Sequence, residues 1–413
     1  MYKEVNVCRI CGNTKFEPIV SLGVQSLTGV FPKSIDDKVD KGPLDLVQCK
    51  GDNSCGLVQL KHSFSHEEMY GMNYGYRSGL NKSMVMHLSS ITKKVSQIIE
   101  LKDNDVIIDI GSNDSTLLQS YAQVTKAKLN LIGIDPTGIK FKKYYPENIN
   151  LIADFFSANI FKKAYPNKKA KVVSSIAMFY DLEDPTSFME DIYNVLSDDG
   201  IWIFEQSYLL TMLEVNAYDT ICHEHIEYYA IRQIEWMAKK VGFKLVDIIL
   251  NDINGGSFQI ICTKAINNNI KSSSNLDKLI INENDNLHKL LINYKIQVEN
   301  HRNELIKLLT KLKTEGKKVF GYGASTKGNV ILQYCGIDKN LMPYIAEVNE
   351  DKFGSFTPGT LIPIISENEA RALKPDYFLV LPWHFRAGIL EREKEFLKNG
   401  GKFIFPLPKI EIV

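Results

Sequence analysis

The sequence has no excess of either charge. Its 49 lysines and arginines balance 49 aspartates and glutamates over 413 residues. Without a net positive field, nothing in it points to nucleic acid or to an anionic membrane surface. It also lacks any uninterrupted apolar run long enough to span a bilayer. The opening Met1-Tyr-Lys-Glu-Val is too polar for a secretory signal. A cytoplasmic protein is expected, with neither a membrane nor a nucleic-acid partner. Seven cysteines in a reducing compartment do not make a disulfide framework. With 44% hydrophobic and 24% charged residues, the chain has the composition of a globular protein of two or three domains. No internal repeat is found.

A further absence is informative. The stretch Asp105 to Leu118 reads as a buried strand at Val106–Ile110, a turn at Gly111 and a helix start at Ser112–Ser115. Its pattern is Asp-x-Gly-x-Asn-x-Ser, not the Gly-x-Gly-x-x-Gly that lets backbone approach a pyrophosphate. An adenosyl ligand without phosphates needs less glycine, which favours S-adenosylmethionine over a nicotinamide cofactor. The second strand ends in Asp135, where an acid can take ribose hydroxyls. Asp154, after the third strand, suits an adenine amino group, and Phe155 a stacking contact. A loop acid and a core aromatic remain open for these two. From Asp103 to Thr263 strands and helices alternate early on, so the early strands should be parallel.

Four cysteines fall in the first 55 residues: Cys8, Cys11, Cys49 and Cys55. The Cys8-x-x-Cys11-Gly knuckle and the wider Cys49/Cys55 pair suit a closed tetrahedral zinc site. Free core thiols or a redox pair are the alternatives. The segment between the pairs (Gly23, Pro32, Gly42, Pro43) reads as loop-rich.

Tyr70 to Gly79 interleaves three tyrosines with glycines, either a hydroxyl-bearing site loop or an aromatic hinge. A helix is expected from Ser83 to Leu101. The densest chemistry is Tyr218 to Tyr229, which holds Cys222-His223-Glu224-His225. His-x-His could pair on a metal, without an obvious third ligand. A histidine beside a carboxylate also suits proton abstraction. A polar helix start with a satisfied histidine is the plainer alternative. Asn267–Asn275 reads as a linker, and Leu287 to Leu312 keep helical spacing until Gly316. Lys318 to Asn329 then reads as strand, glycine turn and helix start, able to receive a phosphate or simply to connect tightly. Trp383-His384 follows a later strand at its ligand-facing end.

Taken together the chain resembles the three-domain sugar C-methyltransferases of deoxysugar biosynthesis. The carriers are the four cysteines, Tyr74-x-Tyr76-x-Ser78, Ile110-Gly-Ser-Asn-Asp114, His223-Glu-His225, Gly255-Gly-Ser257, Gly321-Tyr-Gly-Ala-Ser-Thr-Lys-Gly328, Pro358-Gly-Thr360 and Lys374-Pro-Asp376. The resemblance implies an α/β chain with a zinc module at 1–70. A Rossmann-like class I S-adenosylmethionine domain at 71–266 and a long helix plus α/β substrate domain at 267–413 follow. It implies methylation of the carbon beside the ketone of a nucleotide-linked 4-keto-6-deoxy sugar. His225 would be the base, with Glu224 and Tyr76 orienting it or binding the sugar. Cofactor contacts would fall on Asp109, Gly111, Ser112, Asn113, Asp135, Asp154, Phe155 and Ala177. Substrate contacts would fall on Tyr74, His223, Ser325, Lys327, Asn329, Trp383 and His384. A monomer is expected, and a dimer is also compatible. The sequence departs from the family pattern at Cys222 (usually Tyr), at Ala177 to Asp181 (commonly Asn, then His), at His384 (usually Asn) and at Ser115 (Gly). O- or N-methylation of a nucleotide sugar is the alternative. A nicotinamide enzyme built on Gly321-x-Gly323 is a weaker one, and a zinc nucleic-acid module is disfavoured by the neutral charge.

Overall fold

The computed structural model describes residues 2–64 and 76–413. The N-terminal region holds β1 (Lys3–Glu4), β2 (Phe16–Ser26), β3 (Lys41–Cys49), β4 (Val58–Leu60) and β5 (His62–Ser63). The segment between the cysteine pairs, expected to be loop-rich, thus carries a long hairpin. Register shifts at Pro18/Val20 and Ser21/Val24 interrupt its alternation, which hides the two strands from a period-2 reading.

The central region holds β6 (Val106–Ile110), β7 (Asn130–Ile134), β8 (Ile149–Ile152), β9 (Ala170–Ile176), β10 (Leu196–Ser207), β11 (Glu227–Tyr228), β12 (Phe243–Asn251) and β13 (Ser257–Lys264). Seven of these form one sheet in the order β12-β13-β10-β9-β6-β7-β8. The pairs among β6 to β10 are parallel, and β13 runs antiparallel to both neighbours. Every residue of β6 is buried, as a central parallel strand covered on both faces requires. The helix α1 (Lys82–Ile98) starts on Asn81, whose side chain accepts from Ser83 N. It buries Met84, Leu88, Ile91 and Val95, one stripe at helical spacing.

The strand β11 leaves this sheet. It pairs antiparallel with β4, so the N-terminal sheet runs β11-β4-β3-β2. The segment just after His225 is therefore stapled to the cysteine-bearing module.

The helix α2 (Leu276–Thr314) begins eleven residues earlier than the Leu287 expected from apolar spacing. A polar run, Asn282–Asn286, interrupts its apolar stripe before Leu287, yet Glu283 is buried there. Glu283 accepts from Tyr208 Oη at 2.8 Å and from Ile231 N at 2.6 Å and Arg232 N at 3.1 Å. The last two are free N–H groups at the start of the helix Ile231–Val241, where an anion is favoured. The C-terminal sheet runs in the order β16-β15-β14-β17-β18-β19. It is built from β14 (Val319–Tyr322), β15 (Ile345–Glu347), β16 (Ile364–Ser366), β17 (Tyr377–Val380), β18 (Lys402–Phe405) and β19 (Glu411–Ile412). The helix α3 (Thr326–Cys335) follows β14. Among the described residues no helix is long and apolar enough to cross a membrane.

Candidate active site and metal centre

The four N-terminal cysteines converge. Cys8 Sγ and Cys55 Sγ lie 3.4 Å apart, Cys11 Sγ and Cys49 Sγ 3.6 Å, and all four sulfurs fall within 4.8 Å of one another. A zinc ion with sulfurs at about 2.3 Å needs S···S edges of roughly 3.8 Å, so the cluster fits a tetrahedral ion. Gly12, at φ +71°, makes the turn after Cys11. Asn13 Nδ2 donates to Cys49 Sγ at 3.3 Å, which favours a thiolate. The bare thiols oppose one another: the hydrogen bond from Cys55 pulls Cys8 down to about 5. The same contact pushes Cys55 up, and burial pushes Cys49 up to about 11. Four thiolates share this space only around a cation.

The second feature lies at the carboxyl ends of the central strands. The chain runs β6, β7, β8 to one side and returns to β9 on the other, so a crevice opens between β6 and β9. Gly111 (φ +69°) follows β6 and Ala177 (φ +54°) follows β9. Asp135 ends β7. Its Oδ2 accepts from Asn113 N at 2.7 Å and its Oδ1 from Thr137 N and Oγ1, both at 2.7 Å. The crevice is tight at its base, where a Cβ on Gly133 would meet Ser112 Oγ at 2.5 Å. Asp154 caps its own turn, accepting from Phe155 N at 2.7 Å, and the Phe155 ring stands 54% exposed past β8. An acid, left-handed turns and an exposed aromatic at one sheet edge fit an adenosyl ligand. Asp109 is placed differently. Its carboxyl lies within the sheet and accepts from Ser174 Oγ at 2.6 Å, and burial pushes it up to about 7. Tyr76 sits near this crevice with its ring half-exposed and its carbonyl accepting from Asn113 Nδ2 at 3.1 Å. Tyr74 lies outside the described residues.

The third feature is the Cys222–Tyr229 loop, where all three regions meet. His225 lines a small cavity with Tyr180, Ser207, Met212, Thr220 and Tyr228. Its Nδ1 lies 3.0 Å from Thr220 O, a carbonyl that can only accept. The ring is therefore the Nδ1–H tautomer, with a bare lone pair on Nε2. Burial first, and then the charge of Lys327, push its pKa down to about 3. The Tyr180 ring packs 4.3 Å away. Glu224 Oε2 accepts from Thr28 Oγ1 of the N-terminal module at 3.2 Å. Gly29 leaves room for it, since a Cβ there would lie 2.6 Å from Glu224 Oε1.

His223, two residues earlier, turns away from the cavity. Its Nε2 lies 3.3 Å from Gly42 O and its ring packs edge-on against Phe64 at 4.6 Å. Burial pushes it down to about 4. Its expected substrate contact becomes an anchor to the N-terminal module.

The C-terminal turn supplies the remaining wall. Lys327 Nζ donates to Asn254 O at 2.8 Å, and burial lowers its pKa against the opposing pull of Asp219. Trp383 Nε1 donates to Asp219 Oδ2 at 2.8 Å, which clasps β17's end to the Tyr218–Thr220 turn. His384 is held at a low pKa of about 3 by burial and then by Lys327, and its Nδ1 is buried without a partner among the described residues. Ser325 and Asn329 are already engaged. Ser325 Oγ accepts from Gly328 N at 3.0 Å as the cap of α3, and Asn329 Nδ2 donates to Thr28 O at 2.7 Å. Thr28, Gly29, Asp219 and Asn254 therefore join the site without having been singled out in the sequence. Thr28 and Gly29 lie between the cysteine pairs with no chemical pattern to mark them.

Three family models match the chain in succession. They are a zinc binding domain over residues 8–70, a methyltransferase domain over 86–248 and a C-methyltransferase C-terminal domain over 252–408. C-methyltransferase NovU of Streptomyces niveus is 27% identical over 419 residues, spanning 100% of this chain and 97% of its own. The chain belongs to the three-domain C-methyltransferase family. It is an S-adenosylmethionine-dependent methyltransferase with a zinc-binding N-terminal module. Among solved structures, plantazolicin methyltransferase BpumL with a triazolic desmethylPZN analog and SAH is 14% identical. That match covers 45% of this chain and 87% of that chain at a TM-score of 0.36. BpumL with SAH alone is 14% identical, covering 43% and 82% at a TM-score of 0.34. These scores are low, and no conclusion rests on them.

Proposed function

We propose that this C-methyltransferase methylates the carbon beside the ketone of a nucleotide-linked 4-keto-6-deoxy sugar. In this reading residues 1–70 carry the zinc through Cys8, Cys11, Cys49 and Cys55, residues 71–266 hold the methyl donor and the base, and residues 267–413 hold the nucleotide sugar. The observation that carries it is His225, tautomerically fixed by Thr220 O and lining a cavity beside a buried lysine.

S-adenosylmethionine supplies an electrophilic methyl when it is bound at Asp135, Gly111, Ser112, Phe155 and Ala177. His225 Nε2 takes the proton from the carbon acid. The electron pair moves onto the ketone oxygen, where the Lys327 ammonium stabilises the enolate. The enolate carbon would then take the methyl as the methyl–sulfur bond breaks and its electron pair returns to sulfur, leaving S-adenosylhomocysteine, and the proton on His225 leaves to solvent. Glu224, held by Thr28, and Tyr76 orient the sugar. His384 Nδ1, buried without a partner among the described residues, offers the nucleotide side a polar contact.

Incubation with a nucleotide-linked 4-keto-6-deoxyhexose in heavy water, without methyl donor, tests the reading. Deuterium should enter beside the ketone and should require His225. Absence of exchange across a panel of keto sugars, with tight donor binding intact, would favour O- or N-methylation instead.

The pH dependence is a second test. A histidine whose pKa is depressed to about 3 is already neutral throughout the usual assay range. Its basic form is therefore present from pH 8 down to pH 5, and kcat/KM should show no acid limb near 6.5 from this residue. An inflection at pH 6–7 that disappears in His225→Asn would sink the assignment of its protonation state.

A further inference from the structure

The short segment Tyr76–Leu80 has no sheet to hold it, only one 3-10 turn at Ser78–Leu80. Its backbone is held instead by two side chains of the turn after β6. Asn113 Nδ2 donates to Tyr76 O at 3.1 Å, and Asn113 Oδ1 accepts from Ser78 N at 3.0 Å. Asp114 Oδ2 accepts from Gly79 N at 2.9 Å and lies 3.4 Å from Arg77 Nε. The fit is close: a Cβ on Gly79 would stand 2.6 Å from Asp114 Oδ2. The Arg77 guanidinium covers the Tyr144 ring at 4.2 Å.

The same Asn113 has a second set of bonds on the donor side. Its backbone N–H donates to Asp135 Oδ2 at 2.7 Å, and its carbonyl accepts from Tyr145 Oη at 3.0 Å. Both oxygens of Asp135 are turned toward this loop and Thr137. Asn113 sits at φ +50°, a left-handed conformation that asparagine tolerates better than most side chains. Its amide is buried, with 7% of the residue exposed. One residue therefore bonds the ribose acid with its backbone and the Tyr76 segment with its side chain. Both halves of its side-chain amide are engaged by the Tyr76 segment.

We propose that Asn113 is a positioning residue that couples donor binding at Asp135 to the placement of Tyr76. Donor binding orders Asp135 and the turn after β6, and the Asn113 side chain carries that order to the Tyr76 backbone. The sugar pocket is then completed on the donor-loaded protein, so donor binds before sugar. By linkage the sugar tightens the donor by the same factor, about 5- to 150-fold for couplings of ordinary size. This rests on the reading above in two respects, that the donor sits at Asp135 and that Tyr76 faces the sugar.

Backbone hydrogen exchange at residues 76–80 tests the coupling, with S-adenosylhomocysteine as probe and calorimetry for its affinity. In the native chain the probe should slow exchange at Ser78 and Gly79 by at least about tenfold, an opening cost of roughly 1.4 kcal/mol. Asn113→Gly keeps the left-handed backbone and the N–H to Asp135 while removing both side-chain bonds. It should bind the probe within about threefold of the native affinity and give no protection at Ser78. Asn113→Asp, which keeps the acceptor for Ser78 N and sets a carboxylate oxygen against Tyr76 O, should give weaker protection than the native chain. Full protection in both variants overturns the coupling, as does a native chain whose Ser78 exchange ignores the probe. Loss of probe affinity with protection retained would make Asn113 a donor ligand and also overturn it. No sugar enters the measurement, so failure of the keto-sugar reading leaves its outcome unchanged.

Discussion

His225→Ala lowers methyl transfer by about a thousandfold, within the range of one general base, while S-adenosylhomocysteine still binds. The loss should appear in kcat, because the base acts only once the sugar is bound. The separation from donor binding follows from the layout. The proposed donor crevice lies at the ends of β6, β7 and β9, whereas His225 lies in a loop whose far side joins the N-terminal sheet. His225→Asn is the sharper variant. Its side-chain amide can still donate to Thr220 O, but it has no basic nitrogen for the proton. An equal loss in both variants with unchanged thermal stability assigns the chemistry to Nε2. Full turnover in His225→Asn would remove histidine from the mechanism. The ring's orientation is itself braced at a distance. Tyr218 Oη lies 3.0 Å from His301 Nδ1, and His301 Nε2 lies 2.6 Å from Pro406 O. The carbonyl of Pro406 only accepts, so Nε2–H donates to it; burial lowers the His301 pKa, and in the neutral ring Nδ1 receives the Tyr218 hydroxyl. The turn that carries Thr220 is thereby tied to both α2 and the C-terminal region.

Much of the fold is legible in the sequence where local pattern and burial agree. β6 is read to the residue because a parallel strand covered on both faces leaves an apolar run, here broken only by Asp109. α1 is read within three residues at its end because its apolar stripe keeps helical spacing. The failures have identifiable physics. Bulges break the alternation of β2, so its strand character is visible only from its partner β3. β11 is two residues long, and its pairing with β4 joins segments far apart in the chain. The run Asn282–Asn286 hides the first turns of α2, because Glu283 in it serves another helix's free N–H groups, a tertiary role that reads locally as a solvated turn. At the site, cysteine spacing announces the metal centre before any fold is known. His223 and His225, by contrast, are chemically alike in sequence, and only the irregular loop decides that one faces Gly42 and the other the cavity. Asp109, near the end of an apolar run, suggests a ligand contact in the sequence. The pleat instead turns it onto Ser174 inside the sheet.

Removing the zinc should abolish turnover even though no N-terminal residue is assigned a chemical step. A structural zinc contributes on the order of 10 kcal/mol to a small module, comparable to the whole stability of a domain. Without it, the four thiols crowd one another and β2 to β4 lose their anchor. Three contacts carry that loss into the active site. β4 releases β11 and with it the segment after His225, Thr28 leaves Glu224, and Asn329 of α3 loses the Thr28 carbonyl. Arg9 adds a fourth tie, donating to Leu60 O at 2.9 Å and lying 3.5 Å from Glu183 of the central region. Zinc content and turnover should therefore fall in parallel during chelation, and Cys8→Ser should behave like the chelated protein. S-adenosylhomocysteine binding should outlast both, because the crevice at β6, β7 and β9 uses no atom of the module. A chelated protein with full turnover would mean that the β4–β11 pairing survives without the ion. Loss of donor binding in step with zinc would mean that the central sheet depends on the module for its own folding. The expected order, turnover lost first and donor binding kept, follows from the module bracing the proposed base and sugar pocket rather than the donor crevice.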